Sequence, residues 1–134
     1  MKNQREIKFR AWDKINNQWW SDGFTISEDG KIMLLDNDNK YVEMENQDDY
    51  VLFQYTGLKD SKGVEIYEGD ILDITSNNSA GNIMPNKYEV RYFCDGFKLV
   101  LKGYEEDIYN NLGEMPNGNT EVIGNIYQNP EKLK

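Results

Sequence analysis

The chain has 134 residues, 38% of them hydrophobic and 13% aromatic, and a formal charge of −9. That length suffices for one domain with a core of its own, and nine Tyr argue for a core built largely from rings, which excludes a disordered chain. Residues 1–54 carry 7 basic and 11 acidic groups and residues 55–134 carry 8 and 13, so no basic block of the kind that nucleic-acid binding usually leaves is present.

There is no His and one cysteine, Cys94. An intramolecular disulfide, a zinc set of Cys and His, a Ser–His–Asp triad and a Cys–His pair are all excluded. A lone cysteine fits a reducing compartment, and Cys94 reads as a small residue beside a turn. No apolar run follows Met1 to Glu6, and no window approaches the roughly 18 apolar residues of a membrane helix. The expected compartment is the cytoplasm, with no membrane contact.

In chain order, Ile7, Phe9 and Ala11 alternate with Lys8, Arg10 and Trp12, which predicts a strand. Trp19-Trp20 opens a second apolar segment. Phe24-Thr25-Ile26 and Ile32-Met33-Leu34-Leu35 flank Glu28-Asp29-Gly30, a hairpin signal. Residues 36–50 are polar and turn-prone, and are expected to form a linker or long loop. Asp36-Asn37-Asp38-Asn39-Lys40 opens like a calcium loop, but Lys40, Tyr41 and Gln47 stand where such a loop needs its later oxygen ligands and its glycine. A solvated turn is the reading that survives.

Val51, Phe53 and Tyr55 alternate into Thr56-Gly57. Ser61-Lys62-Gly63 predicts one turn and Glu65 to Asp70 another, followed by a strand over Ile71-Leu72-Asp73-Ile74. Residues 75–87 are expected to be a surface loop. Tyr88, Val90 and Tyr92, then Asp95-Gly96, then Phe97, Leu99 and Leu101 form the clearest hairpin. Tyr104, Ile108 and Leu112 recur at a spacing of four, with Glu105, Glu106 and Asp107 in the first turn, and predict a short helix. Glu121 to Tyr127 is the last strand, stopped by Asn129-Pro130.

The fold expected from these elements is mainly β, an SH3-like β-barrel over 51–134 with an N-terminal β meander or hairpin over 1–50, and at most one or two short helices. Together the two parts are expected to make one compact domain overall.

Three blocks are informative together. They are Lys8-Phe9-Arg10-Ala11-Trp12-Asp13, then Tyr55-Thr56-Gly57-Leu58-Lys59-Asp60 through Ile66-Tyr67-Glu68-Gly69-Asp70-Ile71, then Glu121-Val122-Ile123-Gly124-Asn125-Ile126-Tyr127 with Asn129-Pro130-Glu131. Their content, order and spacing resemble the YopX family of phage and prophage proteins from Gram-positive bacteria. The resemblance implies a mainly β fold with an SH3-like barrel late in the chain, and a bacterial cytoplasm. It brings no catalytic residue, cofactor or metal ligand to any position.

Glu65, Glu68 and Asp70 are the densest carboxylates in these blocks. They would serve a metal-assisted reaction if they converged, but turn hydrogen bonds account for them more simply. Gly57, Gly63 and Gly69 fit neither a dinucleotide fingerprint nor a P-loop. Trp12, Tyr55, Tyr67 and Tyr127 are the residues to consider for a recognition surface, against core packing as the plainer reading. The expected function is a non-enzymatic interaction module that binds a protein partner or a second copy of itself. The alternative is a nucleic-acid-linked role. That would be an SH3-like binder using Lys87, Arg91, Lys98 and Lys102, or an acidic mimic of DNA. A carboxylate-based, metal-assisted enzyme is the weakest reading.

Overall fold

The computed structural model describes residues 6–20, 23–77, 83–93, 96–101, 109–111 and 120–133. Its regular structure is β throughout, apart from short 3₁₀ turns at Gln47–Asp49 and Pro130–Leu133. Among the described residues, no helix is long and apolar enough to cross a membrane. Contacts divide the chain into two units. One is Lys8–Gln54, and the other is Tyr55–Lys134 with the residues before Lys8.

The Lys8–Gln54 unit begins with β1 (Phe9–Asp13) and β2 (Gln18–Trp20), an antiparallel hairpin that sets Trp12 opposite Trp19. Asp13 closes it. Its carboxylate accepts the Ile15 and Asn16 amides at 2.9 and 3.0 Å and the Asn16 side chain at 2.8 Å. The first half of β6 (Tyr50–Lys59) pairs with β1 from Phe9↔Gln54 to Asp13↔Tyr50. A second sheet, β3 (Phe24–Ile26), β4 (Ile32–Leu35) and β5 (Tyr41–Glu43), lies in that order.

Successive residues of a strand face opposite sides, and β1 is covered on both. Ala11 joins Ile32 and Met44 in one cluster, against Trp20, Phe24, Leu34, Tyr50 and Leu52. Trp12, on the other side, meets the Trp19 ring edge-on at 4.9 Å; Trp19 meets Phe53 at 5.4 Å and carries the Arg10 guanidinium 4.0 Å above its face. Edge-on ring pairs and a stacked cation add about 1 kcal/mol each to simple burial.

The other unit holds the second half of β6, then β7 (Glu65–Tyr67), β8 (Asp70–Asn77), β9 (Ile83–Phe93), β10 (Gly96–Leu101), β11 (Tyr109–Asn111) and β12 (Thr120–Asn125). Five strands form one antiparallel sheet, ordered β11-β10-β9-β8-β12, curled into half a barrel. Its core is Ile66, Leu72, Ile74, Val90 and Leu99, flanked by Leu58, Tyr88, Phe97 and Val122. The alternation in Tyr88 to Leu101 is a hairpin as expected, with Tyr92↔Phe97 and Val90↔Leu99 in register.

Several expected loops are strands. Residues 36–50 contain β5 and the Gln47–Asp49 turn. Gln47 acts there as a surrogate strand residue, exchanging hydrogen bonds with the Ile32 amide and carbonyl at 2.9 Å each. The surface loop expected over 75–87 is shorter, because β8 runs to Asn77 and β9 starts at Ile83. Polar residues continue that ladder because pairing needs only backbone groups, and Thr75↔Pro85 lies within it. The turn expected from Glu65 begins as strand β7. The helix expected over 104–112 fails at its C-terminal end, where Tyr109–Asn111 pairs with β10 as a strand. Its earlier part, like Cys94 and Lys102, lies outside the described residues.

Two of the three signature blocks meet in this second unit. Gly69, at φ 82°, donates to the Val90 carbonyl at 2.7 Å and accepts the Ile126 amide at 2.9 Å. Beside it, Asp70 pairs with Asn125 and Ile71 with Gly124. The Asn125 carboxamide oxygen accepts the Tyr127 and Gln128 amides at 3.0 and 2.8 Å, while the Asn129 side chain accepts the Asn125 amide at 3.3 Å. A Cβ on residue 124 would stand 2.5 Å from Asn129 Oδ1 and 2.8 Å from its Cβ. Gly124 is therefore the space that the Asn129 side chain occupies. Gly124→Ala should lower stability in urea by about 2 kcal/mol, a typical overpacking cost. In an Asn129→Gly background, where the clashing atoms are gone, the same substitution should cost less than half as much.

Candidate functional site

One turn occurs three times among the described residues. In Ser27–Lys31, Asp36–Lys40 and Asp60–Val64, the first residue's amide donates to the fifth residue's carbonyl at 2.8–2.9 Å. The fourth residue's amide donates back to the first residue's carbonyl at 2.9–3.1 Å. The fifth residue's amide donates to the first residue's side chain at 2.9–3.0 Å. The fourth position takes positive φ, at Gly30, Asn39 and Gly63, a conformation open to Gly and tolerated by Asn. Ser or Asp at the first position is needed because the oxygen must reach a nearby amide.

Asp60 does more than close its turn. Its Oδ1 accepts the Lys62 and Val64 amides at 2.9 Å each, and its Oδ2 accepts the Val122 amide of β12 at 2.9 Å. Ser61 adds its amide and hydroxyl to the Thr120 carbonyl, at 2.9 and 2.6 Å. Burial pushes the Asp60 carboxyl up, but the amides of Val122, Val64 and Lys62 and the Lys62 charge outweigh it and hold the pKa below its ordinary value of 3.8. The Asn16 side chain and amide, opposed by burial, likewise hold Asp13 low, with help from Ile15.

Of the carboxylates singled out from the sequence, Asp70 is used in the same way. Asp70 is 1% exposed and accepts the Tyr67 amide at 2.8 Å. Glu65 sits on β7 opposite Lys59, and Glu68 lies in the turn with Gly69. Among the described residues, no group of three or more Asp, Glu, Cys or His is placed to hold a metal ion. The Thr56-Gly57 step is a bulge in β6. The Thr56 hydroxyl donates to the Ile66 carbonyl at 2.7 Å and accepts the Leu58 amide at 3.2 Å, while Gly57 takes φ 88°.

The four aromatics considered for recognition do not share a surface. Trp12, Tyr55 and Tyr67 are buried, with the Tyr55 and Tyr67 rings tilted against each other at 5.5 Å; Tyr127 alone of the four is exposed. The basic strip is interrupted. Lys98 lies opposite Arg91, but Arg91 is held by Glu89 at 2.9 Å, and Asp73 stands opposite Lys87.

What does reach solvent is different. Leu35 and Tyr41 are a cross-strand pair on β4 and β5, 50% and 56% exposed, with Val42 beside them. Tyr92, 58% exposed, packs edge-on against its partner Phe97 at 5.3 Å. The signal that would have found Tyr41 and Val42 is the Asp-x-x-Asn turn just before them, which marks a hairpin. A shallow cleft of about 290 Å³ lies in the Lys8–Gln54 unit among Asp29, Gly30, Lys31, Ile32, Gln47, Tyr50 and Leu52. Burial, with the charges of Asp13 and Asp49, pushes the Tyr50 hydroxyl up, so it stays a protonated donor at neutral pH.

A family profile described as "YopX protein" matches residues 8–134. Among solved structures, protein yopX from Bacillus subtilis is similar at 25% identity and TM-score 0.64, covering 98% of each chain. Protein EF1440 from Enterococcus faecalis is similar at 27% identity and TM-score 0.62, covering 98% of this chain and 100% of its own. No curated protein matches.

The Asp60 geometry has a pH consequence. A carboxyl whose folded pKa is depressed stabilises the fold above its unfolded value, and that stability is lost as pH falls through the folded value. Denaturation midpoints should therefore hold near neutrality and fall below about pH 4. Asp60→Asn should cost about 3 kcal/mol at pH 7, because an amide group cannot accept all three N–H donors. The variant should also show a flatter acid limb in urea midpoints measured against pH.

Proposed function

Taking as premise that the chain belongs to the YopX family, we propose that it is a non-enzymatic interaction module of a phage or prophage, acting in the bacterial cytoplasm by binding a protein partner. The observation that carries this reading is the exposure of large apolar side chains, Leu35 with its cross-strand partner Tyr41, and Tyr92 beside the half-buried Phe97. Burying such rings against a partner gains roughly 25 cal/mol per Å² of apolar surface, and Tyr is enriched in interface hot spots. The buried carboxylates Asp13, Asp60 and Asp70 support the non-enzymatic part, since each accepts hydrogen bonds from its own backbone. An SH3-like reading of the curled sheet agrees with a barrel that displays its hairpins, by analogy of fold alone.

Photo-crosslinking residues at positions 41 and 92 test this in the full chain, expressed in a Gram-positive bacterium. A discrete adduct should form from position 41 and from position 92, and not from exposed polar positions such as 62 or 131. Equal, diffuse labelling at all four positions would overturn the reading.

A further inference from the structure

We infer that the free edge of β5 is a docking site for an extended, basic segment of another protein, which adds to the sheet as a further strand. This rests on the reading above and names its surface and the chemistry of its partner.

Among the described residues, strand β5 ends the sheet order β3-β4-β5, and Tyr41, Val42 and Glu43 are all exposed. Its pairing phase decides which backbone groups are spare. Asp36 donates to the Lys40 carbonyl at 2.8 Å and Met44 to the Ile32 carbonyl at 2.9 Å. Hydrogen-bonded and non-bonded pairs alternate along an antiparallel ladder, so Leu34↔Val42 falls in the bonded phase, whereas Leu35↔Tyr41 and Met33↔Glu43 do not. The amide and carbonyl groups of Tyr41 and Glu43 thus point away from β4. An incoming strand would satisfy them and pack an apolar side chain against the exposed Leu35–Tyr41 pair.

Charge selects the occupant. Residues 36–49 carry Asp36, Asp38, Glu43, Glu45, Asp48 and Asp49 against a single Lys40. A second copy of this chain would bring its own −9 to the edge. A segment alternating Lys or Arg with aliphatic residues meets both the apolar pair and the acidic rim, and like-charged competitors are repelled.

The probe is a blocked peptide of alternating Lys and Val, titrated into the full chain and followed by NMR. Amide shifts should concentrate on residues 41–43, and hydrogen exchange at the Tyr41 and Glu43 amides should slow. Proline tolerates an edge but removes its donor. Glu43→Pro, which deletes an outward N–H, should weaken binding by about tenfold relative to Glu43→Ala, which deletes only the charge. The peptide N-methylated at alternate residues should lose binding. Equal affinities for Glu43→Pro and Glu43→Ala, shifts centred elsewhere, or undiminished binding of the N-methylated peptide would each overturn the inference. So would concentration-dependent dimerisation with no peptide response, which would assign the edge to a second copy. If crosslinks form at positions 41 and 92 while the β5 amides stay silent, the interaction-module reading stands and only the edge assignment falls.

Discussion

The unit that holds the curled five-stranded sheet depends on the charge of Asp60. One buried carboxylate accepts the amides of Lys62, Val64 and Val122, joining a local turn to a strand 62 residues away from it in sequence. A buried ionised group is tolerated only when its hydrogen-bonding capacity is filled. The three donors are therefore a set, and moving one strands the charge. Aspartate suits the position because its short side chain reaches the turn amides without leaving Oδ2 too far from β12. From Val122 the constraint passes two residues on, to Gly124 and Asn125, where the chain meets Gly69 and Asp70.

This explains the residue types of the two later signature blocks. Thr56 patches a bulge, Gly57 and Gly63 take positive φ, Asp60 pins the turn, Gly69 bridges Val90 and Ile126, and Gly124 makes room for Asn129. Each residue type answers a backbone requirement. The Lys8–Gln54 unit works by other means. Its organising feature is the row of rings from Trp12 through Trp19 to Phe53, capped by Arg10, so the same alternation that marks a half-wet strand elsewhere describes a strand covered on both faces.

Legibility followed the range of the interaction concerned. The Tyr88–Leu101 hairpin was readable because one buried face leaves an alternating pattern. The turns at Ser27, Asp36 and Asp60 were readable because their chemistry is local. Strands β5 and β11 were not, since short edge strands such as Tyr41–Glu43 bury too little to impose a period. For Trp12 the plainer reading, core packing, is where the structure puts it, although nothing in β1 itself says that Trp19 will cover it. The Asp60–Val122 bond has no local signature either. For the candidate site the loss was larger. Leu35 and Tyr41 come together only through the β4–β5 register, and the phase that frees the Tyr41 and Glu43 backbone groups follows from hydrogen bonds at Asp36 and Met44.

The row of rings has one more consequence. All three Trp of the chain, at positions 12, 19 and 20, fall inside the Lys8–Gln54 unit. Light absorbed only by indole therefore reports on that unit alone, while tyrosine absorption reports on both. The near contact of Trp12 and Trp19 makes their excited states couple, which gives that unit a circular-dichroism band of its own. The molecule thus carries a built-in optical label that separates the melting of one unit from that of the other without any added dye.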